Sequence, residues 1–177
     1  MKLHIGIDDT DSPRKGCTTY IAAVLVETLD KLGCKFIDYP NLVRLNPNIP
    51  WKTRGNGAVC IRLECDDFKI DQIKKITTDI VEKHSDMAHE RTDPAIVFLK
   101  GEIPYELSRY SSKAIKDIVS FKEAVKMVKK FNIEFAEQPV PAENLKGLIE
   151  VKRNSPIPIM ADESVHSPED AIRLIKA

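Results

Sequence analysis

An excess of charge of either sign is missing from this chain. Its 177 residues carry 27 Lys+Arg against 27 Asp+Glu, a formal net charge of zero. That excludes a globally basic nucleic-acid wrapper and an acidic disordered tail, so any nucleic-acid contact must come from a local patch. Paired cysteines are missing too. Cys17, Cys34, Cys60 and Cys65 form no C-x-x-C spacing, which excludes a zinc ribbon and a thioredoxin-type motif. Four reduced thiols in a cytoplasmic protein are expected. Aromatic residues reach only 6%. The longest uncharged stretch, Gly16 to Val26, falls far short of the ~20 residues a membrane helix needs. The opening MKLHIGIDDTDS reaches carboxylates by its eighth residue, unlike a secretory leader. No internal repeat is visible.

What is present suffices for a folded core, with 42% apolar and 31% charged residues. The length fits one ordinary domain or two small ones. Leu3, Ile5 and Ile7 alternate as in a strand, and DDTDSPRKG then breaks the pattern. From Cys17 to Leu32, Ile21, Val24, Leu25, Leu29 and Leu32 recur at helical spacing, with Gly33 as the stop. Lys35 to Leu45 reads as an edge strand interrupted by Pro40. Ala58 to Cys65 reads as a strand, Ile70 to Val81 as an amphipathic helix, and Ala95 to Leu99 as a short buried strand. Tyr105 to Val119 reads as mostly helical. Ser120 opens a further helix through an S-F-K-E capping box. Beyond Phe131 the pattern is strand–helix–strand–helix, with Pro168 at the first position of the last helix. The expected class is α/β (α+β), with a mixed sheet and a C-terminal βαβα unit.

Asp8, Asp9 and Asp11 follow the end of the first strand, where α/β folds hold ligands. Two readings fit them. Close carboxylates repel unless a cation lies among them, and oxygen ligands with phosphate suit Mg²⁺. Thr18 and Thr19 then stand at a helix start that attracts phosphate, and their hydroxyls are able to accept a phosphoryl group. Alternatively the aspartates and threonines only form Asx turns and a helix cap. The loop at 44–57 bears on the choice. No acidic residue lies between Asp38 and Glu64, whereas Arg44, Lys52 and Arg54 do. Asn46, Asn48 and Asn56 add amides, Gly55 and Gly57 permit close approach, and Trp51 offers a face for stacking a base. Such a loop suits nucleotide or RNA phosphates. A solvated Pro/Gly hairpin with Trp51 covering the core fits the composition as well.

IGIDDTDSPRKGCTTY and VRLNPNIPWKTRGNGAV, with HERTDPAIVF and SSKAIKDIV further on, resemble the N-terminal region of the archaeal isoleucine-tRNA 2-agmatinylcytidine synthetases. The likeness runs from residue 1 to about 131 and carries two long, specific motifs. It implies an ATP-dependent ligase that phosphorylates C2 of the anticodon's wobble cytidine, after which agmatine displaces the phosphate. Carried over by motif, Asp8, Asp9 and Asp11 are the Mg²⁺ carboxylates and Thr18 is the threonine that becomes phosphorylated, with Asp8 and Asp9 beside it in catalysis. Arg44, Lys52 and Arg54, with Asp11, are expected at nucleotide phosphates. The stretch 58–118 matches the family's ferredoxin-like segment, and Asp93 in its TDP sequence is the candidate partner for agmatine. Partners implied are tRNA, ATP and agmatine. The family's later glycine-rich segment, OB-fold and zinc ribbon have no counterpart here, so a truncated, incomplete ligase region is expected.

From about residue 132, NIEFAEQPVPAENLKGLIEVKRNSPIPIMADESV resembles two βα units of the enolase superfamily, nearest its muconate-lactonising and dipeptide-epimerase enzymes. There the carboxylates matching Glu137 and Asp162, with Glu163 adjacent, bind Mg²⁺. A third carboxylate and the general-base lysines have no match. Two units also cannot close an eight-stranded barrel, so these three residues are expected to be vestigial or structural. Two rivals to the ligase reading remain at this point. One is a Mg²⁺-dependent epimerase or racemase fragment completed by partner chains. The other is a non-catalytic module that binds nucleotide or RNA. His84 and His89 do not match a metal motif and are expected to be exposed.

Overall fold

The computed structural model describes residues 1–176 other than 51, 53, 54, 90, 91, 132–135, 138, 139, 141–143, 162 and 163. Two compact units divide the chain, Met1–Ile118 and Val119–Ala177. In the first, strand β1 (Lys2–Asp8) pairs antiparallel on both flanks, with β4 (Gly57–Glu64) and with β5 (Ala95–Lys100). Leu3, Ile5 and Ile7 alternate onto one face and are sealed from water. They pack with Val59, Ile61 and Leu63 of β4 beneath helices α1 (Thr18–Lys31) and α2 (Ile70–His84). The helices contribute Ile21, Ala22, Leu25 and Leu29, and Ile70, Ile73 and Val81, at the apolar spacing legible in sequence. Each such large aliphatic side chain contributes roughly 1.5–3 kcal/mol by burial.

The expected edge strand splits into β2 (Lys35–Phe36) and β3 (Asn41–Arg44), both antiparallel to β4. Lys35 lies opposite Glu64 and Asn41 opposite Cys60, so six steps on the edge match four on β4. The two extra residues bulge at the segment holding Pro40, which has no N–H to give a ladder. Arg62 of β4 clamps this bulge through both carboxylate oxygens of Asp38. The sheet order is β2–β4–β1–β5, with β3 continuing the β2 edge. Taken in chain order this is a βαββαβ, ferredoxin-like arrangement. It is larger than the 58–118 stretch in which a ferredoxin-like segment is expected. That stretch supplies β4, α2 and β5, while β1, α1 and the split edge come from residues 2–44.

Helix α1 stops where glycine permits it. Gly33 has φ +73°, its N–H donates to the Asp30 carbonyl at 2.8 Å, and the Cys34 N–H reaches back to Leu29 at 3.1 Å. This paired closure satisfies two orphan carbonyls at the helix end. The helix expected over 105–119 is shorter, α3 (Tyr105–Ala114). His84 and His89 are half-buried rather than exposed: the His84 ring meets Tyr20 edge-on, and His89 Nδ1 lies 3.3 Å from the Thr92 hydroxyl.

The second unit contains α4 (Phe121–Phe131), β6 (Ala136–Glu137), α5 (Leu145–Asn154), β7 (Ile159–Met160) and α6 (Pro168–Lys176). The capping box forms: Ser120 N–H donates to Glu123 Oε2 at 3.0 Å and Glu123 N–H to Ser120 Oγ at 3.4 Å. Ser167 Oγ caps α6 by accepting from Asp170 N–H at 3.1 Å. β6 and β7 pair in parallel in a sheet of their own, so the strand–helix–strand–helix expectation holds. Antiparallel and parallel pairing thus occur in separate sheets. Among the described residues no helix is long and apolar enough to cross a membrane.

Leu25 is fully buried between α1 and the sheet, whereas Tyr39 is 89% exposed. Leu25→Ala is expected to cost about 2–5 kcal/mol in denaturant unfolding, and Tyr39→Ala less than about 0.5 kcal/mol.

Candidate nucleotide site

Strand β1 delivers Asp8 to the edge of a cleft, and the chain then turns sharply. Asp9 has φ +51°, a left-handed conformation that Asp tolerates better than most residues, and its N–H is held by Asp8 Oδ1 at 2.8 Å. Thr10 and Ser12 point inward and are fully buried. Ser12 Oγ accepts the N–H groups of Arg14 and Lys15, each at 3.0 Å, and the Ser12 N–H closes the turn on the Lys15 carbonyl at 2.8 Å. Gly16 has φ +78°, and a Cβ there would collide with the Thr10 carbonyl, so only glycine fits.

Helix α1 begins immediately after. Cys17 occupies its N-cap position without a side-chain cap, so the threonines do not serve as caps. The buried Thr18 hydroxyl lies 2.9 Å from that of Thr10. On the other wall, β3 and β4 bring in Leu42, Arg44 and Gly57, and the loop between them adds Lys52, Gly55 and Asn56. The loop amides fasten this loop to itself. Asn56 Nδ2 donates to the Asn46 carbonyl at 2.6 Å, and Asn46 Oδ1 accepts Asn48 N–H at 3.0 Å. Arg44 and Lys52 are exposed, and among the described residues they reach backbone carbonyls, of Gly55 at 3.2 Å and Ile49 at 3.1 Å. A phosphate can replace such exposed bonds at little cost.

The result is a cleft of about 380 Å³ lined by Asp8, Asp9 and Asp11, by Cys17, Thr18 and Thr19, and by Arg44 and Lys52. Burial is the main cause that pushes the carboxyls of Asp8 and Asp9 above the ordinary Asp value of 3.8. Asp11 adds repulsion to both, and hydrogen bonds from the Asp9 and Asp93 backbones oppose the rise. The expected residues Asp8, Asp9, Asp11, Thr18, Arg44 and Lys52 are therefore gathered in one place. Arg54 and Trp51 lie outside the described residues. Asp93 is exposed next to the site, its N–H 3.3 Å from Asp9 Oδ2. Among the described residues no three His, Cys, Asp or Glu side chains are grouped to hold a metal. Asp162 and Glu163 lie outside the described residues, as does the side chain of Glu137. Sequence reasoning missed Thr10, Ser12, Leu42 and Asp86. Ser12 was detectable as a turn-forming serine; Asp86, 74 residues from it, carried no spacing signal.

The TiaS TCKD domain family model matches residues 4–140. The chain belongs to the TiaS TCKD domain family. This TCKD domain is 44% identical over 137 residues to the isoleucine-tRNA 2-agmatinylcytidine synthetase TiaS of Pyrococcus horikoshii, covering 77% of the chain and 32% of the relative. The Methanocaldococcus jannaschii synthetase is 46% identical over 143 residues, covering 76% and 33%. The chain thus spans about a third of the length of the relatives it matches. The crystal structure of TiaS in complex with its isoleucine tRNA and ATP aligns with TM-score 0.66 and 39% identity, over 75% of this chain and 31% of that one. A TiaS complex with the same tRNA, AMPCPP and agmatine aligns with TM-score 0.65 and 36% identity, over the same shares. An enolase C-terminal domain-like model matches residues 117–177, overlapping the end of the TCKD match.

The raised carboxyls carry a stability consequence. The folded chain binds these two protons more tightly than the unfolded chain, so their charged forms penalise folding in full at neutral pH. The penalty fades as pH falls through the raised values towards 3.8. Without divalent cations, Asp8→Asn and Asp9→Asn are each expected to raise the melting temperature by a few degrees at pH 7 and to leave it unchanged near pH 3.5. Thermal unfolding across pH checks this.

Proposed function

We propose that this chain is the nucleotide-binding, phosphoryl-transferring region of an ATP-dependent tRNA-modification ligase. The reaction is conversion of the wobble cytidine of an isoleucine tRNA to agmatinylcytidine. The observation that carries the reading is the single cleft in which half-buried Asp8 and Asp9 and the buried Thr18 share a lining with Arg44 and Lys52. The names of the TiaS complexes with ATP, AMPCPP, agmatine and an isoleucine tRNA support ATP, agmatine and tRNA as its ligands.

The fit to Mg²⁺ rests on the donor set. Two carboxylates destabilised by burial and by Asp11 are short of positive charge, and Mg²⁺ commonly uses one or two carboxylates with waters and phosphate oxygens. Asp8, Asp9 and Asp11 would hold the ion. An ion held there would supply positive charge to the transferred phosphoryl group. Arg44 and Lys52 draw the polyphosphate into the cleft from the opposite wall, and the uncapped N-terminus of α1 presents N–H groups to it. Thr18 supplies the accepting hydroxyl, held in one orientation by Thr10. Its Oγ–P bond forms as the bond from the γ-phosphorus to the bridging oxygen breaks; the hydroxyl proton passes to a carboxylate of the cleft wall and ADP leaves. Transfer to C2 of the cytidine and displacement by agmatine follow.

Calorimetry should find Mg²⁺-dependent ATP binding that weakens at least tenfold in the Asp8→Asn/Asp9→Asn double variant. Equal affinity in that variant would remove the assignment. Label from γ-³²P-ATP should appear on the chain and vanish in Thr18→Ala. ATP binding without any labelling would favour a non-catalytic nucleotide-binding module.

A further inference from the structure

Below the phosphate-side turn lies a carboxylate that the proposed chemistry leaves unused. Asp86 follows the C-terminal end of α2 and is 2% exposed, a costly place for a charge without partners. Among the described residues its side-chain partners belong to one turn, more than seventy residues earlier in the chain. Asp86 Oδ2 accepts the Ser12 hydroxyl at 2.6 Å and Arg14 Nη2 at 3.3 Å, and Lys15 Nζ stands 3.7 Å from Oδ1. The Ser12 hydrogen bond is the main cause that lowers this carboxyl below the ordinary range, with Arg14 and Lys15 adding to it. Because Ser12 Oγ spends its proton on Asp86, its lone pairs are free to hold the N–H groups of Arg14 and Lys15. One carboxylate thus engages the side chains of Ser12, Arg14 and Lys15 and, through Ser12, the backbone of the same turn. Gly16 and the N-terminus of α1 with Thr18 follow directly.

From this geometry we infer that Asp86 is a positioning residue for nucleotide binding: it locks the 12–15 turn so that Cys17, Thr18 and Thr19 meet the cleft in register with Asp8 and Asp9. It touches no cleft ligand itself, since neither Asp86 nor its partners Ser12, Arg14 and Lys15 are among the residues that line the cleft. Arg14 and Lys15, the basic residues of this turn, are tied to a protein anion. The inference rests on the proposed nucleotide role of the cleft, and the test separates the two.

Three readouts on the full chain are compared for wild type, Asp86→Asn, Ser12→Ala and the double variant: melting temperature, Mg²⁺–ATP affinity and alkylation of individual cysteines followed by peptide mass spectrometry. Cys17 is half-buried at the start of α1, whereas Cys34 and Cys65 are buried elsewhere and report global opening. Either single variant is expected to speed alkylation of Cys17 while Cys34 and Cys65 keep their wild-type rates. Each should weaken ATP about tenfold, the equivalent of ~1.4 kcal/mol, and the double variant no further, because both act through one network. Wild-type alkylation rates at Cys17 together with unchanged ATP affinity in both single variants overturn the inference. If Asp86→Asn melts early, Ser12→Ala decides alone by the same criteria. Should wild type bind no ATP, the proposed function fails, and the Cys17 rates alone decide whether Asp86 holds the turn.

Discussion

Strand β1 is the constraint on which the first unit turns. Like β4 it is paired on both flanks, and one of its faces is sealed by two helices, with Asp8 at its C-terminal end still paired to Ala95 of β5. The energy that orders Leu3, Ile5 and Ile7 in the core therefore also places the first cleft carboxylate, and the unfavourable charge there is sustained by apolar burial a few residues away. A cleft wall made of like charges is thus carried by the apolar core beneath it.

The opposite wall is built on a different principle. β3 is an edge strand, Arg44 and Lys52 are exposed, and among the described residues the loop between β3 and β4 is fastened by the side chains of Asn46 and Asn56. One wall is anionic and the other cationic, and polyphosphate with a divalent ion, as proposed for this cleft, would complement both.

Much of this was legible from residue order alone. The alternation in KLHIGID, the helical spacing from Ile21 to Leu29 and the glycine stop at Gly33 are local signals, set by periodicities of two and 3.6 residues, and each formed where expected. The capping box at Ser120 and the Ser167–Pro168 start are local as well. What could not be read was pairing between distant segments. β4 lies beside β1, which enlarges the ferredoxin-like unit beyond 58–118, and no spacing rule encodes such a neighbour. The same holds for the site. Its acidic and basic halves were visible as motifs, yet the burial of Thr18 against Thr10 and the tie from Asp86 to Ser12 depend on contacts across the fold. The asparagines of the loop add a role that spacing did not show: the side chains of Asn46 and Asn56 fasten the loop to itself, while Asn56 also lines the cleft.

The broken edge formed by β2 and β3 has a bearing on how the protein behaves at high concentration. A continuous outer strand is a template on which another chain can extend the sheet. Here the ladder is cut after Phe36, a proline sits in the gap, and the Arg62–Asp38 clamp holds the interruption open. An incoming strand meets two short, offset segments instead of one long rail, so fibrillar growth from this flank is disfavoured by geometry before any surface charge is considered.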